Sequence, residues 1–188
     1  MQIYISYLKG TLSSPQKTFQ EILKDKKSSQ IIGIYLASYI IYKMVEYSLI
    51  SKQISSFYFF PSILQTAPST LYIYLSLLSP VIFAAYIGIQ HIILHTFFSQ
   101  KGTFLQLLTI NSLFSTIIFI FDIFVIYTTI HIPQTQIFFL ITTLWSIYLT
   151  ITAYSIIYKI SKKKALAAYL VQLFPLIALG FAFSIIAF

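Results

Sequence analysis

Five ionisable side chains lie inside long apolar stretches of this sequence, and charges at such positions usually serve a function. They are Lys43, Glu46, His91, His95 and Asp122. The two histidines are four residues apart, so they share one helix face and could bind a metal ion together. A third protein ligand would have to come from Asp122 or Glu46.

Distances along the predicted helices argue against that metal site. At about 1.5 Å per residue, His95 and His91 lie roughly 6 and 12 Å from the lysine-rich ends of the helices. Asp122 and Glu46 lie roughly 27 and 23 Å from those ends. The gap of about 10–20 Å is far longer than a metal–ligand bond. The sequence therefore predicts no metal site, and we expect both histidines to hydrogen-bond within the bundle.

The same distances predict an ion-pair cluster in the other half of the bilayer. Lys43 and Glu46 are three residues apart and can pair along one helix. Asp122 lies at a comparable depth and could complete the cluster from a second helix. We expect a structural role for this cluster, while an ion or proton path through the same residues is the alternative.

A second polar layer is predicted near the lysine-rich ends of three helices. Its members are His91, Asn111 and Gln172. Polar side chains at a common depth can hydrogen-bond across helices, each contributing about 0.6 to 2 kcal/mol.

The sequence favours no enzyme and no cofactor. It lacks cysteine, and it contains no Ser-His-Asp arrangement, no glycine-rich phosphate loop and no paired catalytic carboxylates. Intramembrane prenyl-type proteases use paired glutamates on a helix, whereas Glu21 and Glu46 are the only glutamates here.

Composition indicates what must position these residues. Of the 188 residues, 58% are hydrophobic and only 9% are charged, compared with about 25% charged residues in soluble domains. Lipid-exposed strands would need a closed barrel with alternating polarity, which the sequence does not show. We therefore predict an all-α membrane domain over 31–188, preceded by a cytoplasmic tail over 1–30. Its five predicted spans are 31–50, 71–98, 104–127, 137–158 and 165–188.

The lysines predict the orientation of these spans. Ten of the 12 lysines fall on one side of the five-span arrangement, and only Lys52 falls in a loop on the other side. By the positive-inside rule, the N-terminus is cytoplasmic and the C-terminus is outside. Because the lysines flank apolar runs, they suit anionic lipid headgroups rather than nucleic acid. The ten are Lys9, Lys17, Lys24, Lys26, Lys27, Lys101, Lys159, Lys162, Lys163 and Lys164.

The tail contains a pattern typical of a short amphipathic helix. Ser14 can cap a helix that begins at Pro15, a position where a missing N–H costs nothing. Phe19, Ile22 and Leu23 then share one face, and charged residues occupy the other. We expect this helix to lie at the cytoplasmic membrane surface. A solvated charged linker is the alternative.

Several short motifs, in this order, resemble those of Yip-domain proteins, the Ypt/Rab-interacting family. SPQKTF precedes the first span, and His91 is followed by the turn SQKGTF. Trp145 lies in the fourth span, and KKKALAA precedes the fifth. Family members often have a Gly-Gly turn where this chain has only Gly102. The short tail is similar to that of prokaryotic members, so we expect the protein in a prokaryotic cell membrane.

The resemblance implies a non-enzymatic membrane protein with five helices. Eukaryotic members bind prenylated Rab-type GTPases and act in vesicle budding and organelle shape. For a prokaryotic-type chain we expect only the general role, in which a lysine-rich cytoplasmic face recruits a protein partner or organises the membrane. Self-association is left open. The alternatives are a small transporter or channel, and an accessory subunit of a larger membrane complex.

Overall fold

The computed structural model describes residues 2–25, 27–51, 68–99, 101–131 and 136–173. All regular secondary structure within these ranges is helical, so the predicted all-α fold is confirmed. The helices are α1 (Gln2–Ser13), α2 (Pro15–Asp25), α3 (Ser28–Ser51), α4 (Pro68–Phe97), α5 (Phe104–His131), α6 (Gln136–Ile157) and α7, which is described over 162–173.

Three of these helices contain segments that are long and apolar enough to cross a membrane. The segments are Ser76–Phe97 in α4, Phe104–Val125 in α5 and Leu140–Ile157 in α6. They correspond to the second, third and fourth predicted spans. At about 1.5 Å per residue, segments of 18 to 22 residues match a hydrocarbon core about 30 Å thick.

The first and fifth predicted spans are not among these three apolar segments. The first corresponds to α3, which carries both Lys43 and Glu46 and is not among the three apolar segments. The fifth begins in α7, and its residues beyond 173 lie outside the described ranges. A crossing number of five therefore stays a prediction.

Helix α5 is the central element, since it packs against α3, α4, α6 and both N-terminal helices. Its residues Leu107, Ile110 and Leu113 are fully buried. Toward the other end, Phe119 contacts three tyrosines of α3, with ring centroids 4.8 to 5.8 Å apart. In contrast, Ile82 and Leu144 are 59% and 58% exposed, as expected for side chains that face lipid rather than water.

Helices α1 and α2 form an antiparallel pair, which we call the N-terminal hairpin (residues 2–25). As predicted, α2 begins at Pro15. The two helices approach closely at Gly10, where an added Cβ would clash with the Thr18 hydroxyl oxygen. Helix α1 was not predicted, because residues 1–12 lack the long apolar run by which spans are recognised.

Candidate functional site

The structure brings Lys43 and Glu46 together on α3. The Lys43 ammonium lies 2.5 Å from a Glu46 carboxylate oxygen, and the Tyr42 hydroxyl donates to the other carboxylate oxygen at 3.1 Å. The same ammonium lies 5.1 and 5.9 Å from the ring centroids of Tyr42 and Tyr39, within the range of cation–π attraction. A carboxylate of opposite charge and two aromatic faces thus compensate the charge of Lys43.

Asp122 approaches this pair from α5. It is half-buried and interacts electrostatically with both Glu46 and Lys43. We call Lys43, Glu46 and Asp122 the ion-pair cluster. A cavity of about 310 Å³ lies beside it, lined in part by Lys43 and Ser76.

The three residues of the predicted polar layer form hydrogen bonds with other partners. His91, Asn111 and Gln172 do not hydrogen-bond to one another in the described structure. Instead, His91 Nδ1 lies 2.6 Å from the Tyr158 hydroxyl, and the Tyr154 hydroxyl donates to Gln172 at 2.6 Å. Asn111 donates to a carbonyl one turn earlier in α5, at 2.8 Å. We call the two tyrosine-centred pairs the tyrosine network.

Sequence reasoning missed Tyr154 and Tyr158, although both are completely buried. Their spacing of four residues, directly before a lysine-rich turn, was the available signal. Gly102 packs against one of them, since an added Cβ would lie 2.7 Å from the Tyr158 ring. The motif residues His91 and Gly102 therefore converge on a single tyrosine.

The neighbouring motif positions have separate structural roles. Thr103 and Gln106 exchange backbone-to-side-chain hydrogen bonds of 3.1 and 3.3 Å, which form a capping box at the start of α5. Ala165 and Ala168 of KKKALAA are fully buried in the same core. The motifs thus fix how the ends of α4, α5, α6 and α7 fit together.

The histidine pair is not part of a larger ligand set in the described ranges. The rings of His91 and His95 lie 5.4 Å apart, and His91 already bonds to Tyr158. The described residues contain no group of three or more side chains that could hold a metal ion. Asp122 and Glu46 belong to the ion-pair cluster instead.

The apolar face predicted for α2 contacts protein. Pro15, Phe19 and Ile22 are buried, with Phe19 0% exposed, and Leu23 packs against the same core. Their neighbours come from α6, α5 and α1. This differs from an apolar face lying on lipid, because the bundle itself offers an apolar surface for it to cover.

Two tyrosines of α1 hold the hairpin in place. The Tyr4 hydroxyl donates to Thr116 of α5 at 3.0 Å, and the Tyr7 hydroxyl donates to the Asp25 carboxylate. The pKa of Tyr7 is raised to about 12, mainly because the hydroxyl is buried and also because the Asp25 carboxylate lies next to it. Burial also raises the pKa of Tyr4.

The described lysines outside the ion-pair cluster are exposed or partly exposed at the protein surface. Those at the end of α2 and at the turns before α5 and α7 form what we call the lysine-rich end. In that group Lys27 is partly exposed, and the exposed members are Lys24, Lys101, Lys159, Lys162, Lys163 and Lys164. Lys9 and Lys17, elsewhere on the hairpin, are also exposed, and Lys26 and Lys52 lie outside the described residues. The Lys162 ammonium also lies 5.7 Å from the Tyr148 ring centroid.

Comparison with known proteins gives one match. A family model described as the Yip1 domain matches residues 9–185. No curated protein and no solved structure matches the chain.

Proposed function

The chain belongs to the Yip1 domain family, and we propose on that premise that it is a non-enzymatic protein whose lysine-rich end recruits protein partners or organises the membrane. It is an integral membrane protein, as its family and three apolar helices indicate. We further propose that the protein lies in a prokaryotic cell membrane, with a cytoplasmic tail over 1–30 and a five-span domain over 31–188.

One observation carries this proposal, namely the grouping of exposed lysines where buried contacts hold several helix ends together. The turn before α5 contacts Tyr158 through Gly102, and Lys162, Lys163 and Lys164 begin α7 shortly after that tyrosine. Near an anionic membrane each lysine contributes about 1 kcal/mol of attraction. A rigid group of cations can therefore bind anionic headgroups or an acidic protein surface.

A mild-detergent pull-down with mass determination of the complex tests partner recruitment. We expect a protein partner that is lost when Lys162, Lys163 and Lys164 are all replaced by serine. The matched control replaces the same three with arginine, which keeps the charge and should keep the partner. Native mass spectrometry with phosphatidylglycerol tests the lipid arm in the same variants. Unchanged partner and lipid retention in the serine variant would refute the proposal.

Orientation requires a separate measurement. Single cysteines at Ser28 and Ser161 should react with an impermeant reagent only from the cytoplasm, and a cysteine at Gln134 only from outside. Gln134 itself lies outside the described residues. Labelling of Gln134 and Ser161 from the same side would contradict the five-span arrangement.

A small transporter or channel is the second candidate, and the cavity of about 310 Å³ beside Lys43 favours it. If the ion-pair cluster lines a path, Lys43→Leu should abolish ion flux in proteoliposomes while the melting temperature changes little. If the unmodified protein is stable in proteoliposomes but conducts no ions, the first proposal is favoured.

A further inference from the structure

The N-terminal hairpin packs against parts of α5 and α6 that lie within apolar membrane segments. Tyr4 bonds to Thr116, which belongs to the segment Phe104–Val125. Leu12, near the tip of the hairpin, borders a cavity of about 460 Å³. Its lining from α5 and α6 includes Ile118, Phe121, Ile141, Leu144 and Trp145, all inside the two segments.

Helix geometry gives the depth of the hairpin tip. Ile118 and Phe121 lie about 21 and 26 Å along α5 from its first residue, and Trp145 lies about 18 Å from the α6 end at Ile157. The hydrocarbon core is about 30 Å thick. Leu12 therefore borders side chains that lie between the middle of the core and its far side, well below the surface at the start of α5.

The outward face of the hairpin is nevertheless polar. Phe19 and Ile22 turn toward the bundle, while Ile5 and Leu12 of α1 are 43% and 45% exposed. The exposed polar side chains of the hairpin include Lys9, Ser13, Gln16, Lys17, Gln20, Glu21 and Lys24. Lysines and glutamines are costly in contact with hydrocarbon at this depth, so hydrocarbon chains alone do not suit this face.

We infer that the N-terminal hairpin is re-entrant, and that its polar face binds the headgroups of anionic phospholipids below the surrounding bilayer surface. The inference rests on the proposed function for its choice of an anionic membrane. The charge of the face supports that choice, because the three exposed lysines Lys9, Lys17 and Lys24 outnumber the two exposed acids Glu21 and Asp25, and the Asp25 carboxylate also accepts from Tyr7. Long lysine side chains can also reach toward phosphates from a deeper backbone.

A second copy of the chain fits this face less well. Two copies in one membrane are related by an axis along the bilayer normal. Near that axis the same residues of two aligned helices meet, so Lys17 would face Lys17 of the other copy. Such a contact places like charges together at low dielectric. Anionic headgroups meet the same lysines with opposite charge.

Site-directed spin labelling of the full-length protein tests the inference. The chain has no native cysteine, so labels can be placed singly at Gln16 and Gln20. A label at Leu144 is the matched control, because Leu144 borders the same cavity as Leu12 and is 58% exposed. The host vesicles contain phosphatidylcholine and phosphatidylglycerol in equal parts. Accessibility to a water-soluble relaxation agent and to oxygen is then measured.

We expect the Gln16 label to be several-fold more accessible to the water-soluble agent than the Leu144 label. Its accessibility should fall in pure phosphatidylcholine, and also in a variant with Lys9→Gln and Lys17→Gln. Arginine at the same two positions should preserve it. The retention of phosphatidylglycerol in native mass spectrometry should follow the same order.

Other outcomes would overturn the inference in different ways. A Gln16 label that the water-soluble agent cannot reach would place the polar face in hydrocarbon. A Leu144 label that the agent does reach would place the whole region outside the bilayer. If the accessibility of the Gln16 label is the same in both lipid compositions and in the variant without the two lysines, anionic headgroups are excluded as the ligand. A short distance between Gln16 labels of two copies would identify a second copy as the occupant. The Lys162 to Lys164 variants report on the proposed function independently.

Discussion

The ion-pair cluster and the tyrosine network both place polar side chains within the helix bundle, but they stabilise them differently. In the ion-pair cluster, charge compensates charge between Lys43 and Glu46, with Asp122 nearby. In the tyrosine network, His91 and Gln172 each bond to a buried tyrosine, and close packing at Gly102 supports one of those rings. The first arrangement depends on charge balance, whereas the second depends on shape and neutral hydrogen bonds.

The comparison predicts that the two regions respond differently to single and paired substitutions. Removing one member of an ion pair leaves an uncompensated charge, while removing both members can be nearly neutral. When one partner of a neutral hydrogen bond is lost, the stability of the protein falls by less.

The largest expected effect is that of Lys43→Leu, which should destabilise the protein by about 3–5 kcal/mol because it removes the ammonium that compensates the Glu46 carboxylate. The double variants Lys43→Leu with Glu46→Leu, and Lys43→Leu with Asp122→Leu, should lose less. Thermal melting in detergent provides the measurement. Equal melting temperatures for the single and double variants would show that the ion-pair cluster does not depend on charge balance.

The next largest effect is expected at Gly102. Gly102→Ala places a Cβ 2.7 Å from the Tyr158 ring, and that ring is completely buried and cannot easily move. Such overpacking should cost about 1–3 kcal/mol. Gly33→Ala is the matched control, since its added Cβ meets nothing within 4 Å. Similar melting temperatures for both variants would show that shape does not dominate the tyrosine network.

Removing single hydroxyls tests the neutral bonds themselves. Tyr158→Phe and Tyr154→Phe keep the rings and should each cost about 1 kcal/mol, the net value of an ordinary hydrogen bond. Adding the first change to His91→Leu should cost less than the sum of the two, because both remove the same contact. Strict additivity in a double-mutant cycle would mean that the observed 2.6 Å contact contributes nothing.

The last effect appears only at high pH and concerns the hairpin, where Tyr7 and Asp25 combine both kinds of contact. The folded pKa of Tyr7 is raised to about 12 from 10.0, so its contribution to stability is complete below pH 10 and is lost as pH rises toward 12. Tyr7→Phe should remove this dependence. Hydrogen exchange of α1 amides across this pH range provides the measurement. The same pH response in both proteins would assign it to another group.

Features that lie close together along the chain could be predicted from the sequence. Spacing of three residues on a helix brings Lys43 to Glu46, and the residue pattern gives the start of α2 at Pro15. Apolar length identifies the segments in α4, α5 and α6. Each of these follows from helix geometry or hydropathy, which the local sequence sets.

Contacts between distant residues could not be predicted in the same way. Depth arithmetic placed Asp122 level with the Lys43–Glu46 pair, but it could not identify Tyr158 as the partner of His91, 67 residues away. Depth along a helix gives one coordinate, whereas a hydrogen bond also depends on the rotation of each helix about its axis. That rotation results from the packing of many side chains together.

By itself the sequence determined that this is a helical membrane protein with its lysines in clusters, because hydropathy and charge depend only on composition and order. Tertiary structure alone decided what covers the apolar face of α2. Lipid and protein are both apolar surroundings for Phe19, so its sequence pattern is the same in either case. Only the docking of the hairpin on α5 and α6, with Tyr4 bonded to Thr116, selects protein.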